Sequence, residues 1–286
     1  MGTKDKFWFR APDDPQECDW LFKFPTENTG QHWAEKVSYE IARRMRILAP
    51  RVELAQYCEQ GGERNPGSAV RSFSSGYELY HGNQILAGLD ENYDPDQRFG
   101  HSMHTVQRIF HSMSVFESDR YADRCRARLA EYLILDAVIG NVDRHHENWG
   151  ILCKVVDGRL KGRLAPTFDH ASSLGRELLD TGSGKSRHRF LTELGIDRYA
   201  ERAPGAVFIG EDTRRGPSPL ELMRWGVEQA DYGRFFRTAL TKLGNLDMEG
   251  VQEIVFKIPS SWMTGLAREF VVRLVNYNLD QLQLLV

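Results

Sequence analysis

The sequence predicts a two-lobed α+β fold: a small β-rich lobe over residues 1–82 and a larger, mainly helical lobe over residues 83–286. Three observations predict it. Short aromatic and aliphatic runs broken by Pro, Gly and Asn fill the first 82 residues, whereas helical periodicity dominates afterwards. Asp157-Gly158 stands between two β-rich runs, a strong hairpin signal, so one hairpin interrupts the helical part. The block at 140–150, Gly-Asn-Val-Asp-Arg-His-His-Glu-Asn-Trp-Gly, follows a long helix directly, which mounts its polar residues on a rigid element.

In chain order, residues 6–10 and 19–24 read as strands joined by a Pro- and Asp-rich connection. Lys23 interrupts the second. It either sits at an edge with its head snorkelling to water, or it reaches into a cleft to neutralise phosphate. Residues 31–45 read as a helix with Ala34, Val37, Ile41 and Met45 in its apolar stripe. Glu35, near the start, either favours the helix N-terminus or forms an ion pair that fixes Lys23. Residues 52–60 and 68–73 read as a hairpin around 61–67. Residues 77–82 end the β-rich part, with the hinge at 77–83.

The stretch 87–101 is polar and loop-like, and 104–113 reads as a short helix. Residues 119–139 form a longer one, with Tyr121, Cys125, Leu129 and Leu133 stacked at four-residue spacing. Asp136 within it reads as a local partner for loop backbone. Further helices are expected near 219–228, 231–243, 247–256 and 261–284. The first opens on the capping box Ser218-Pro219-Leu220-Glu221, with Pro at the first helical position. The last places Trp262, Leu266, Phe270 and Leu274 on one face.

Bulk properties exclude several classes. With 286 residues, 41% hydrophobic and 27% charged, the chain can bury a sizeable core. A net charge of −3 gives no general pull toward nucleic acid or anionic membrane. No run approaches a membrane span. The N-terminus shows no signal segment, and Lys6 breaks the myristoylation pattern that Gly2 would begin. The four cysteines are scattered without zinc spacing, which fits reduced thiols in a cytoplasmic protein.

The candidate chemistry sits in the 140–150 block. Asp143 and Asn148 stand five positions apart, with His145 two after the Asp. A carboxylate at that spacing can orient or deprotonate a hydroxyl, and the carboxamide oxygen can hold Mg²⁺ on ATP. Folding back at Asp157-Gly158 brings Asn148 and Asp169 to within about two residues of each other at the hairpin's open end. One Asn and one Asp suit a hard cation that keeps most of its oxygen ligands from phosphate and water. The plainer alternative is that these are turn and cap residues. Gly184-Lys185-Ser186 imitates a phosphate loop, but Leu179 stands where that motif needs Gly, and no strand leads in. Residues 180–189 are therefore expected to form a flexible basic surface loop, either a substrate or phosphate contact or merely solvated.

The run from Ile139 to Ile151, followed by Ala165-Pro166-Thr167-Phe168-Asp169, resembles the catalytic signature of HipA-like kinases, whose fold is similar to that of phosphatidylinositol 3/4-kinases. The resemblance implies a bilobal protein-kinase-like fold and an ATP- and Mg²⁺-dependent serine/threonine protein kinase. By it, Asp143 is the catalytic acid/base with His145 supporting the loop, and Asn148 and Asp169 bind the metal. Lys23 falls on the nucleotide-binding Lys and Glu35 on its partner. Glu78, Leu79 and Tyr80 fall on the hinge facing the adenine, and Gly2 and Lys6 on the phosphate loop. The chain then begins inside that loop, without the extra N-terminal subdomain of larger members or the Ser that some autophosphorylate. Some relatives are toxins of toxin–antitoxin pairs that phosphorylate aminoacyl-tRNA synthetases. The implied partners are thus a protein substrate, such as a translation factor or synthetase, and an antitoxin, with no direct nucleic-acid binding and no membrane anchor. Two rival readings share the fold: a lipid or small-molecule kinase, and a catalytically silent ATP-binding pseudokinase.

Overall fold

The computed structural model describes residues 5–11, 18–59, 61–62, 64–211 and 214–286. Four antiparallel strands form the first sheet: β1 (Lys6–Arg10), β2 (Asp19–Lys23), β3 (Val52–Cys58) and β4 (Arg64–Arg71), in the order β1-β2-β4-β3. One face carries an aromatic cluster, with Phe7 stacked on Phe22 at 5.2 Å and Phe24 and Tyr57 edge-on beside them. Helix α1 (Gln31–Arg44) packs on β3 and β4, and its expected stripe of Ala34, Val37, Ile41 and Met45 is fully buried.

The hairpin expected around 61–67 is tighter than its Pro and Gly suggest, because Pro66 and Gly67 lie inside β4. β2 pairs with β4 only from Ser68 onward, so among the described residues the missing Pro66 N–H faces no strand. A Cβ at Gly67 would come within 2.4 Å of the Phe22 ring, which explains a glycine in a strand.

The second sheet is built from β5 (Glu78–His81), β6 (Gly150–Val156) and β7 (Arg159–Leu164), in the order β5-β6-β7. The strand expected to end the N-terminal β region therefore joins the hairpin instead. Its period-two pattern marks it as a strand but carries no information about its partner. The turn lies at Asp157-Gly158, with φ of 51° and 72°, the left-handed pair that a two-residue turn requires. Ile151 faces Leu164, the register that two-residue turn sets.

The helical part comprises α2 (Gly82–Leu89), α3 (Val106–Ser112), α4 (Asp119–Ile139), α5 (Arg187–Arg189), α6 (Ile196–Arg202), α7 (Pro219–Glu228), α8 (Gly233–Leu240), α9 (Met248–Lys257) and α10 (Gly265–Gln283). No standard start signal announces α2. It begins where Gln84 Oε1 accepts the His81 backbone N–H at 2.9 Å, a cap without the usual Ser, Thr or Asp. α7 opens on the expected capping box, with Ser218 and Glu221 bonded reciprocally at 2.6 and 3.2 Å. α4 is the axis of this part. Ser118 caps its start, Gly140 ends it at φ 64°, and α7, α8 and α10 pack around it. Its last turns are buried on every side, so the chain leaves it in a fixed direction toward Asp143. The architecture is bilobal, with a β-rich N-terminal region and a mainly helical C-terminal region. Among the described residues, no helix is long and apolar enough to cross a membrane.

Candidate active site

Asp136 lies in the buried final turns of α4, and a buried carboxylate needs compensation. Arg144 supplies it, with Nε on Oδ2 at 2.8 Å and Nη2 on Oδ1 at 2.7 Å. Asn141 adds a third bond to the same carboxylate at 2.7 Å. The remaining guanidinium nitrogen, Nη1, donates to the backbone carbonyls of Asn148 at 2.6 Å and Phe168 at 3.1 Å. One buried cation thus fastens the loop holding Asn148 to the segment ending at Asp169. The expectation of a local backbone role for the Asp136 side chain is corrected here: its principal partner is the Arg144 guanidinium.

Asp143 stands on this loop with its carboxylate partly open to solvent. Ser172 Oγ donates to its Oδ2 at 3.0 Å, and Arg176 reaches Ser172 Oγ at 3.4 Å. His145 Nδ1 accepts the Glu147 N–H at 3.2 Å, which leaves the proton on Nε2, 3.9 Å from Asp143 Oδ1. That separation is too long for a hydrogen bond. Burial pushes the His145 pKa down against the pull of Asp143, so the ring packs the loop as a neutral group. The Asn148 carboxamide nitrogen donates to the Asp143 carbonyl at 2.7 Å. That bond fixes the amide orientation and leaves the side-chain oxygen as an acceptor, the donor type Mg²⁺ takes.

Lys23 reaches across from the first sheet. Its ammonium contacts Glu35 Oε1 and Oε2 at 3.2 and 3.1 Å and Asp169 Oδ1 at 3.1 Å. Burial alone would lower the Lys23 pKa, but the Asp169 and Glu35 carboxylates more than offset it and hold the group above its usual range. Asp169 sits at φ 59°, a left-handed conformation that among L-residues favours Asn and Asp. Lys6 is the direct register partner of Lys23, so both side chains share one face of the sheet. Gly2 lies outside the described residues. Glu78, Leu79 and Tyr80 pair with β6 along one edge of β5, whose other edge has no strand among the described residues.

Residues 180–189 are only partly the surface loop expected. Arg187 is buried, bonded to Asp180 Oδ1 at 2.9 Å and to the Gly175 carbonyl at 3.0 Å, while Gly182 to Lys185 stay exposed. Sequence reasoning also missed Ser172. No local pattern flags a Ser three positions after Asp169, and only the fold brings it to Asp143.

Behind the loop lies a layer of buried rings. Trp149 Nε1 donates to His104 Nε2 at 3.1 Å, and His104 Nδ1 bonds the Ala206 carbonyl at 2.8 Å. Tyr93 and His146 share a 2.9 Å bond. Burial pushes His104 down to about 3 and His146 down to about 4. In the unfolded chain these rings titrate near 6.5, so the unfolded state binds protons first as pH falls. The stability these rings contribute should therefore decline from about pH 6.5 downward and level off near pH 3. The slope is up to about 1.4 kcal/mol per pH unit for each ring that is charged only in the unfolded chain. Urea unfolding between pH 7 and 4 measures this. Replacing both rings with Gln should reduce the slope over that window, the remainder coming from His32 and His170, which burial also pushes down, and an unchanged slope would refute it.

A family model described as the HipA-like C-terminal domain matches residues 1–213. No curated protein matches the sequence. Among solved structures, the chain is similar to the proinflammatory kinase CtkA of Helicobacter pylori, with a TM-score of 0.75 and 15% identity, covering 98% of this chain and 93% of that one. It is also similar to HipA of the Shewanella oneidensis MR-1 toxin–antitoxin system, solved with HipB and operator DNA. That match has a TM-score of 0.60 and 12% identity, covering 99% of this chain and 64% of that one. At these identities the two structures show the fold. With the family match spanning most of the sequence, the chain belongs to the HipA-like C-terminal domain family of phosphotransferases.

Proposed function

We propose that this protein is an ATP- and Mg²⁺-dependent serine/threonine protein kinase. The observation that carries the reading is the Lys23 ammonium held between Glu35 and Asp169, two carboxylates 134 residues apart in the chain. A half-buried cation at that place fits nucleotide phosphates, and Asp143 stands on the loop beside it. Asn148 and Asp169 would hold the metal, and the open edge of β5 at Glu78 to Tyr80 would face the adenine. Lys6 would approach the phosphates from the same face as Lys23. When bound, ATP supplies the phosphoryl group and Mg²⁺ neutralises its charge. Asp143 would accept the proton of the attacking hydroxyl, while Ser172 holds its carboxylate and neutral His145 keeps the loop in place. On this reading residues 1–82 would bind the nucleotide and residues 83–286 would carry the catalytic groups. None of the four cysteines is in a disulfide, which fits a reducing, cytoplasmic setting. A protein antitoxin is the partner we infer from the likeness to HipA, which was solved with HipB.

Incubation of the purified chain with γ-labelled ATP and Mg²⁺ in a bacterial lysate tests the reading. Label in a protein band supports it. Label in phosphoinositide or a small molecule, or ATP bound without transfer, would replace it with the corresponding rival.

Lys23→Ala should weaken ATP binding by about 10- to 100-fold, the loss of one charge-assisted contact. The fold should persist, because burial and Asp169 both push the Glu35 carboxyl upward once Lys23 no longer counters them, and a protonated Glu35 needs no cation. Nucleotide titration and a melting curve check both halves. A collapsed transition would make Lys23 a structural residue.

A further inference from the structure

The β6–β7 hairpin carries a cluster of charge that phosphoryl transfer does not use. Its register sets Lys154 opposite Lys161, Leu152 opposite Arg163 and Val156 opposite Arg159. Directly opposed residues share a face, so one face gathers Lys154, Arg159, Lys161 and Arg163. Lys154 and Arg163 lie against the Tyr77 ring, 4.5 and 4.4 Å from its centroid. Among the described residues, no carboxylate pairs with any of the four. On the opposite face Val155 and Leu160 oppose each other and are 70% and 71% exposed. Among the described residues, the outer edge of β7 has no neighbouring strand.

Charges on a free edge often serve only to discourage pairing. That purpose does not account for this arrangement. Cations confined to one face repel one another at Lys154 and Lys161, and two large apolar side chains stay in water on the other face. A strand laid along β7 would resolve both, because its successive side chains alternate between the two faces. We propose that the outer edge of β7 docks an extended segment of a partner protein in which acidic and apolar residues alternate. The acidic side chains would meet Arg159, Lys161 and Arg163, with Lys154 one strand further in, and the apolar ones would cover Leu160 beside Val155. Backbone bonds would supply affinity and the alternation specificity. The two strands of this ribbon run back to Asn148 and Asp169, so a protein held here is tethered beside the catalytic cleft. The chain's overall charge of −3 makes the patch a local feature rather than part of a general anion surface.

Binding can be read without turnover, so the outcome is independent of the kinase proposal. The full chain is titrated into three fluorescent probes: a peptide of alternating Glu and Val, a peptide of the same composition arranged as a Glu block and a Val block, and a single-stranded RNA oligonucleotide. The alternating peptide should bind at least about tenfold more tightly than the other two. Lys161→Glu/Arg163→Glu should remove that preference, as should Leu160→Ser, each with an unchanged melting temperature because the sites are exposed. Equal binding of the block peptide would reduce the site to charge alone and overturn strand docking. Preference for RNA would reassign the patch to nucleic acid. Absence of binding to all three would also overturn the proposal.

Discussion

Replacing Asp136 with Ala is expected to lower the unfolding free energy by about 3–5 kcal/mol, the cost of leaving a buried charge without its partner. Arg144 keeps only a few per cent of its surface in water, and the substitution removes both bonds that neutralise it. The Asn141 amide loses its acceptor as well. Urea unfolding measures the effect, with Asp19→Ala as the reference. Asp19 pairs with Arg10 at 2.9 Å, but both side chains are more than half exposed, so that variant should change little. A loss below about 1 kcal/mol for Asp136→Ala would mean that water reaches Arg144 easily. In the folded fraction, phosphoryl transfer should also fall, because Arg144 Nη1 holds the Asn148 and Phe168 carbonyls.

Asp143→Asn should separate chemistry from stability. The amide oxygen can still accept the Ser172 hydroxyl, so the loop should keep its shape. It cannot take up the proton of an attacking hydroxyl. Transfer should fall by about 10²- to 10⁴-fold, the usual contribution of a positioned general base. The melting temperature should move little, and ATP should bind as before. Single-turnover transfer together with nucleotide titration distinguishes the cases. Retained transfer would restrict Asp143 to a structural role. Loss of ATP binding would place it in the nucleotide site.

The parts of the fold visible in the sequence are those set by local chemistry. The Asp157-Gly158 turn, the Ser218 capping box and the α1 stripe each depend on residues within a few positions of one another, and each forms as expected. Strand partnership is not local, so β5 pairs in a sheet that its own sequence does not indicate. Pro66 and Gly67 read as a turn because their usual chemistry says so; only the early end of β2 and the close approach of Phe22 make them strand residues. The candidate site is legible wherever a motif compresses it into a short block, as with Asp143, His145 and Asn148. Arg144 lies inside that block, yet its buried partnership with Asp136 emerges only from the depth of α4. Ser172 and the burial of Arg187 belong to the path the chain takes after Asp169, which no spacing rule describes.

The left-handed backbone at Asp169 has a consequence for how such a protein could fall silent. Gly sits there without cost, and Asp and Asn with little, because their short polar side chains can bond locally. Asp169 is also the second carboxylate crowding Lys23, and its charge pushes the Glu35 carboxyl upward. Drift from Asp to Asn or Gly at this one codon would suit the same backbone and leave Glu35 as the carboxylate on Lys23. If Asp169 holds the metal as proposed, such a change would silence transfer while the backbone at this position stays at ease.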